Sequence, residues 1–337
     1  MLGRFAPVTF KGSCVVLSGA TSGLGLALAR ECLSRGVKTL AVIGRNAEVL
    51  ENLRSAGAAQ GCTVLCLECD FNQDAALVQE ILKSFMARVA AVQLPDLVIA
   101  CAGVSTTRGA DGLEDLFEIR RAVAVNVLSS MSLLYLGAAL MAKRGRGRLC
   151  VISSLASLVT LGSSALYGAT KCCLNSYAAA LRSELQSRGV GVTCVIPGFI
   201  RSPMSARFKG RRPLMLSAER AATRIVNALE MGKDELYFPY LLYVGIRLLT
   251  LLPAFLRRVL LRAFAFEVLP DRELSLHKLR SHAHGEVLGE APAGKAEDSG
   301  FSAHDPFRAA SGKAPLGMQP DVCTETNFKV ETLRRPL

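Results

Sequence analysis

No histidine occurs among the first 276 of the 337 residues; His277, His282, His284 and His304 all lie near the C-terminal end. A Ser-His-Asp hydrolase or a histidine-based dehydrogenase places an imidazole inside its folded domain, so catalysis in the body of this chain has to use a different acid. The opening residues, MLGRFAPVTFKGSCVVL, lack the basic start, long apolar core and small-residue cleavage site of a signal peptide. The eleven cysteines are therefore expected to be reduced cytosolic thiols packed as small hydrophobes. Cys62, Cys66 and Cys69 share one short strand-like run without a fourth ligand close by, so core packing is expected there and no metal. Runs of bilayer length are missing from the apolar stretch that begins at Leu236, where uncharged segments reach only about ten residues before Arg247 and Pro253 interrupt them.

Half of the residues are hydrophobic, enough to bury one substantial core and to fit an α/β domain of about 250 residues with a tail left over. The net charge of +12 is concentrated in KRGRGR (143–148), RFKGRRP (207–213) and LRRVLLR (256–262). No nucleic-acid-binding module accompanies these runs, and no nucleic-acid partner is expected.

Short apolar runs alternate with helix-like stretches through the first two thirds, which predicts repeated βα units and a doubly wound, mostly parallel sheet in a three-layer α/β/α arrangement. The predicted strands are SCVVLSG, KTLAVIG, CTVLCLEC, PDLVIACAG, GRLCVISS and GVTCVIPG. The helical stretches between them include LGLALARECLSRG and LYGATKCCLNSYAAALRSELQSRG, which end at Gly36 and Gly189. A catalytic domain is assigned to 1–235, an apolar and basic helical extension to 236–270, and a disordered tail to 271–337. If the extension is one helix, Arg247, Arg257, Arg258 and Arg262 share an arc of roughly 140 degrees, opposite an apolar face. That pattern suits an anionic membrane surface, contacted through 236–266; the alternative is a helix pair that caps the substrate pocket or a partner subunit.

The first strand runs straight into SGATSGLG, Ser18 to Gly25, at the start of a helix. Gly19 permits the tight turn, Gly23 lets the backbone approach a pyrophosphate, and Gly25 lets the helix lie against the sheet. Thr21, Ser22 and Leu24 complete the turn, whose free amides would meet the phosphates. The second strand ends in AVIGRN, where NAD binders place a carboxylate on the adenine ribose. Gly44 and Arg45 stand there instead, which favours NADP(H), with Arg45 on the 2′-phosphate and Asn46 beside it. A solvated turn arginine is the alternative for Arg45.

VISS, ending at Ser154, is followed by YGATK, Tyr167 to Lys171. Four residues apart on a helix, Tyr167 and Lys171 share a face, and the ammonium, together with the positive nicotinamide of NADP⁺, is expected to lower the tyrosine pKa. Tyr167 then exchanges a proton with a carbonyl or alcohol oxygen that Ser154 also holds.

With the glycine turn ahead of YGATK, the chain resembles the short-chain dehydrogenase/reductase family over about Lys11 to Leu229. The resemblance implies a Rossmann-like domain, a nicotinamide cofactor and a tetrad of Asn126, Ser154, Tyr167 and Lys171. Lys171 then also holds the cofactor ribose, and Asn126 anchors a water that relays the proton. It further implies cofactor contacts from Asp70 and Phe71, from Ala102 and Gly103, and from Pro197, Gly198, Ile200 and Ser202. ACAG, Ala100 to Gly103, departs from the family's NNAG, which puts sheet stability in question. The resemblance also implies a homodimer or homotetramer. The loops TTRGADGLEDL, SLVTLGSSA and MSARFKGRRPLML frame the substrate and are poor in charge apart from the basic run, so a hydrophobic carbonyl or alcohol is expected, of steroid, retinoid or long-chain lipid type. The extension is similar to those of lipid-active members such as the dehydrogenase/reductase member 7 group and 3-ketosphinganine reductase. These features place the chain on the cytoplasmic face of an intracellular membrane such as the endoplasmic reticulum. A cofactor-binding scaffold or redox sensor with little turnover is the alternative.

Overall fold

The computed structural model describes residues 7–109, 111–159, 164–262 and 267–269. The tail expected from 271 onward, the four histidines and residues 160–163 of the SLVTLGSSA loop lie outside them.

Six βα repeats form in the order the apolar runs predict. They comprise β1 (Cys14–Ser18), α1 (Gly23–Ser34), β2 (Thr39–Gly44), α2 (Ala47–Ala58), β3 (Thr63–Glu68), α3 (Ala75–Val92) and β4 (Leu97–Ala100). There follow α4 (Leu116–Ala122), a π-helical stretch over Val123–Leu128, α5 (Ser129–Arg144), β5 (Gly147–Ile152), α6 (Ala165–Leu185) and β6 (Val190–Pro197). Strand residues alternate between two cores. Val16, Ala41, Ile43, Val98 and Leu149 pack under α3, α5 and α6, whereas Val15, Leu17, Val42, Ile99 and Cys150 pack under α1, α2 and α8 (Ala218–Glu230). In α8 the buried Ala218, Ala221, Ala222, Ile225, Val226 and Leu229 repeat at three and four residues, and its first amides are capped by Ser217. Cys62 belongs to one core and Cys69 to the other, so the three neighbouring cysteines do not converge.

The sheet has seven parallel strands in the order β3-β2-β1-β4-β5-β6-β8. The seventh, β8 (Glu235–Phe238), corrects the sequence-based division at 235/236. Leu236 sits inside the strand, paired with Val195, because LYF completes the sheet edge before Pro239 ends it. Beyond it the extension forms a pair of helices. α9 (Tyr240–Thr250) and α10 (Ala254–Arg262) are separate, since Pro253 lacks the amide that would continue α9 and instead opens α10, where its carbonyl accepts from the Arg257 amide at 3.0 Å. The single arginine arc therefore does not exist as drawn.

Between β6 and α8 lie the short α7 (Pro203–Ala206) and β7 (Phe208–Lys209), and β7 pairs antiparallel with β9 (Glu267–Val268). This ribbon ties the segment after α7 to the chain that follows α10. Among the described helices, the run Leu116–Arg144 is long and apolar enough to cross a membrane, but its Leu133, Leu134, Ala138 and Met141 are buried in the domain core.

Candidate active site

The strand order reverses between β1 and β4, and in an open parallel sheet the crevice outside the carboxyl ends of the strands at that point receives ligands. A cavity of about 560 Å³ opens there, lined by the glycine turn, Gly44, Arg45, Asp70 and Phe71, and by Cys101, Ala102 and Gly103. Ser154, Tyr167 and Lys171 line its middle, and Pro197, Gly198, Ile200 and Ser202 line the β6 side. Two expected residues stand off the wall. Asn46 caps α2, its side chain accepting from the Val49 amide, and Asn126 is fully buried behind the cleft.

The glycines leave room that side chains would fill. A Cβ on Gly19 would stand 2.8 Å from Ala102 Cα, one on Gly25 2.0 Å from the Gly19 carbonyl, and one on Gly23 2.9 Å from Ser202 Cβ. Gly19 and Gly23 have φ of 72° and 49°, where a side chain is strained. Gly44 is closed for another reason: its Cβ would lie 2.3 Å from Thr21 Cγ2. These residues fit a nicotinamide dinucleotide, with the pyrophosphate against the start of α1 and the adenine ribose beside Gly44 and Arg45.

The loss of both amides in ACAG is offset at β1. The Ser18 hydroxyl accepts from the Cys101 amide at 3.1 Å and the Ala102 amide at 3.2 Å, binding the end of β1 to the exit of β4. Ser18 thus supports the site from beneath Ala102, itself buried. Burial pushes the Cys101 thiol up to about 12.

Ser154 accepts from the Ala156 amide at 3.1 Å, which starts the turn Leu155–Ser157, and shares the cavity wall with Tyr167. The Lys171 ammonium donates to the Ile152 carbonyl at 2.9 Å and lies 5.8 Å from the Tyr167 ring centre. Enclosure by protein pushes Tyr167 up to about 12, against a smaller lowering by Ser154. Lys171 is pushed down to about 8 by burial. In the chain by itself desolvation outweighs the lowering by Ser154.

Asn126 sits in the π-helical stretch. Its carbonyl oxygen accepts from the Val104 amide at 2.7 Å, and its amide donates at 3.0 Å to both the Val104 carbonyl and the Thr170 hydroxyl. The side chain holds the cleft backbone to α6 rather than facing the cleft. Thr170, inside YGATK and three residues after the tyrosine, was missed by sequence reasoning. Glu114 was missed too; it accepts from the Leu166 amide at 3.3 Å, next to Tyr167, and no short-range pattern links those positions. Much of the remaining wall is apolar: Val104, Val125, Val159 and Phe199, then Leu242, Ile246 and Leu249 of α9 and Leu260 and Leu261 of α10.

Comparison with known proteins points the same way. A family model described as short chain dehydrogenase matches residues 13–212. An uncharacterized oxidoreductase of Myxococcus xanthus (strain DK1622) is 33% identical over 238 residues, 71% of this chain and 92% of that protein. A 3-ketodihydrosphingosine reductase of Bos taurus is 28% identical over 232 residues, 68% of either chain. Among solved structures, a short-chain dehydrogenase from Sphingobium yanoikuyae in complex with NADPH has a TM-score of 0.59 at 19% identity, covering 85% of this chain and 99% of that one. One from Burkholderia phymatum in complex with NAD has a TM-score of 0.63 at 20% identity, covering 72% and 94%. The two structures share the fold and hold different nicotinamide cofactors.

Proposed function

Because the chain belongs to the short-chain dehydrogenase family, we propose that it interconverts a hydrophobic ketone or aldehyde and its alcohol with NADP(H), with Tyr167 as proton donor and acceptor. The observation that carries this is Ser154, Tyr167 and Lys171 gathered on the wall of one cavity, with the Lys171 ammonium 5.8 Å from the Tyr167 ring centre. A bound nicotinamide supplies the hydride. The chain's own residues do the rest. Ser154 and Tyr167 converge on the substrate oxygen, and the phenol, protonated at neutral pH, gives its proton to the oxygen as the carbonyl is reduced. Lys171, fixed to the Ile152 carbonyl, presents its charge to the ribose. Asn126 and Thr170 hold α6 in place behind the tyrosine. Leu155, Val159 and Phe199 exclude water and accept an apolar chain.

The preference for NADP(H) rests on Gly44 and Arg45. Thr21 fills the space that any side chain at 44 would need, so no carboxylate repels a 2′-phosphate there, and Arg45 lies on the same wall with a guanidinium suited to it.

The extension supports contact with an intracellular membrane surface such as the endoplasmic reticulum, on its cytoplasmic face. Tyr240, Leu241 and Leu248 of α9 point outward at 70%, 73% and 60% exposure, while Leu242, Ile246 and Leu249 line the cavity, and Arg247 is exposed beside them. A homodimer or homotetramer is favoured by the exposed small residues of α6, among them Ala169, Cys172, Ser176 and Ala180. A redox-sensing role is disfavoured at Cys101, whose raised pKa keeps the thiol unreactive.

Turnover of a panel of apolar ketones with NADPH, comparing the wild type with Tyr167→Phe, tests the proposal. We expect the variant to lose at least about a hundredfold in kcat; NADPH binding without turnover of any ketone would sink the enzymatic reading. Arg45→Ala should weaken NADPH more than NADH. Leu241→Glu with Leu248→Glu should release the protein from anionic liposomes.

A further inference from the structure

The cavity carries a cation that neither the cofactor end nor the tyrosine accounts for. Among the described residues, four charged side chains line it: Arg45, Asp70, Lys171 and Arg211. The first two flank the adenine ribose position and the third stands behind Tyr167. Arg211 belongs to the segment after α7, whose Phe208 and Pro213 line the cavity together with Leu260 and Leu261 of α10. Its side chain is exposed and still borders the chamber, so it stands at the mouth.

The neighbouring cations hold the segment itself. Arg207 donates to the Leu269 carbonyl at 2.8 Å and Arg212 to the Ser205 carbonyl at 2.9 Å. Arg211 makes no such bond or ion pair with another described residue. The sequence offers no local counter-charge either, since no aspartate or glutamate occurs between residues 185 and 218. A guanidinium kept at the rim of an apolar chamber, with no ion pair to another described residue, is suited to an anion that arrives with the ligand.

We propose that the substrate is an amphiphile that carries its carbonyl on an apolar chain and ends in an anionic group, carboxylate or phosphate, held at the cavity mouth by Arg211. This deepens, and rests on, the assignment of the chamber to a hydrophobic carbonyl. The apolar wall takes the chain, Ser154 and Tyr167 take the oxygen, and Arg211 sets which end stays outside. A neutral long-chain ketone gains nothing from the guanidinium, and a long-chain amino ketone meets a like charge.

The test is calorimetric binding to the full chain of a long-chain oxo acid, its phosphate-terminated counterpart, its methyl ester and the matching amine, followed by NADPH-dependent turnover of the same four compounds. Both anions should bind about threefold more tightly than the ester and the amine more weakly, a modest ratio because the site is exposed. Raising salt to about 0.5 M should erase the difference by screening. Arg211→Gln should bring acid and ester to equal affinity, and Arg211→Lys should keep part of the preference. If the wild type binds acid and ester equally, if the preference survives in Arg211→Gln, or if none of the four binds, the proposal is wrong. Loss of NADPH affinity in Arg211→Gln, with the acid preference intact, would reassign the residue to the cofactor. Binding with the expected ratios but no turnover of any compound would instead overturn the carbonyl chemistry and leave the anion site standing.

Discussion

The Asn126 side-chain amide donates to the Thr170 hydroxyl at 3.0 Å, and Thr170 donates to the Tyr167 carbonyl at 2.7 Å. One hydroxyl therefore links the buried π-helical stretch to the turn of α6 that carries the phenol. Thr170→Val keeps the shape and removes both bonds, at a cost of about 1–2 kcal/mol in unfolding free energy and with a fall in kcat. Thr170→Ser should restore kcat. Denaturant melts together with steady-state kinetics check both, and a valine variant with wild-type kcat would show that the link positions nothing.

Thr21 occupies the space that a side chain at Gly44 would need. Gly44→Asp, the simple change toward NAD specificity, should cost about 1–3 kcal/mol through overpacking and weaken both cofactors. Adding Thr21→Ala removes the two nearest atoms, Cγ2 at 2.3 Å and Oγ1 at 2.7 Å, and should recover NADH binding. Differential scanning calorimetry and cofactor titration of the single and double variants measure this. A stable single variant that binds NADH well would refute it.

Lys171 makes a pH dependence with a definite sign. Its pKa falls from 10.5 to about 8 on folding because burial disfavours the ammonium, so the folded state binds that proton less tightly than the unfolded one. The penalty is fully present below about pH 8 and is relieved as pH rises toward 10.5, so the Lys171 contribution to stability increases across that window, by up to about 1.4 kcal/mol per pH unit. Urea midpoints of the wild type relative to Lys171→Met, taken from pH 7 to 9, should show the wild type gaining on the variant above pH 8. Over the same range kcat/KM for NADPH should fall as the ammonium is lost.

Leu214 has φ of 54°, the one positive value outside glycine among the described residues. It follows Pro213 in the turn after the basic run, a position that glycine or asparagine occupies at less cost. Leu214→Asn should raise the unfolding free energy by about 0.5–1 kcal/mol, which equilibrium denaturation will read. A destabilised variant would mean that the half-exposed leucine packs more than its conformation costs.

Most of the domain was legible because local rules suffice for it. The apolar runs of β1 to β6, the glycine turn into α1 and the helical spacing of Tyr167 and Lys171 each depend on neighbours within a few residues. The expectations that failed all depended on distant partners. β8 reads as part of an apolar extension until its pairing with β6 is seen.

What the sequence by itself determined is the fold class, the direction of the first six strands and the residue types available for proton transfer, since no imidazole lies in the first 276 positions. Only the tertiary structure decided that Ser18 replaces the missing amides at β4, that Thr21 closes position 44, that Asn126 turns away from the cleft, and that Tyr167 holds its proton more tightly than usual. Those outcomes depend on desolvation and on contacts between segments far apart in the chain, which spacing along the sequence does not record.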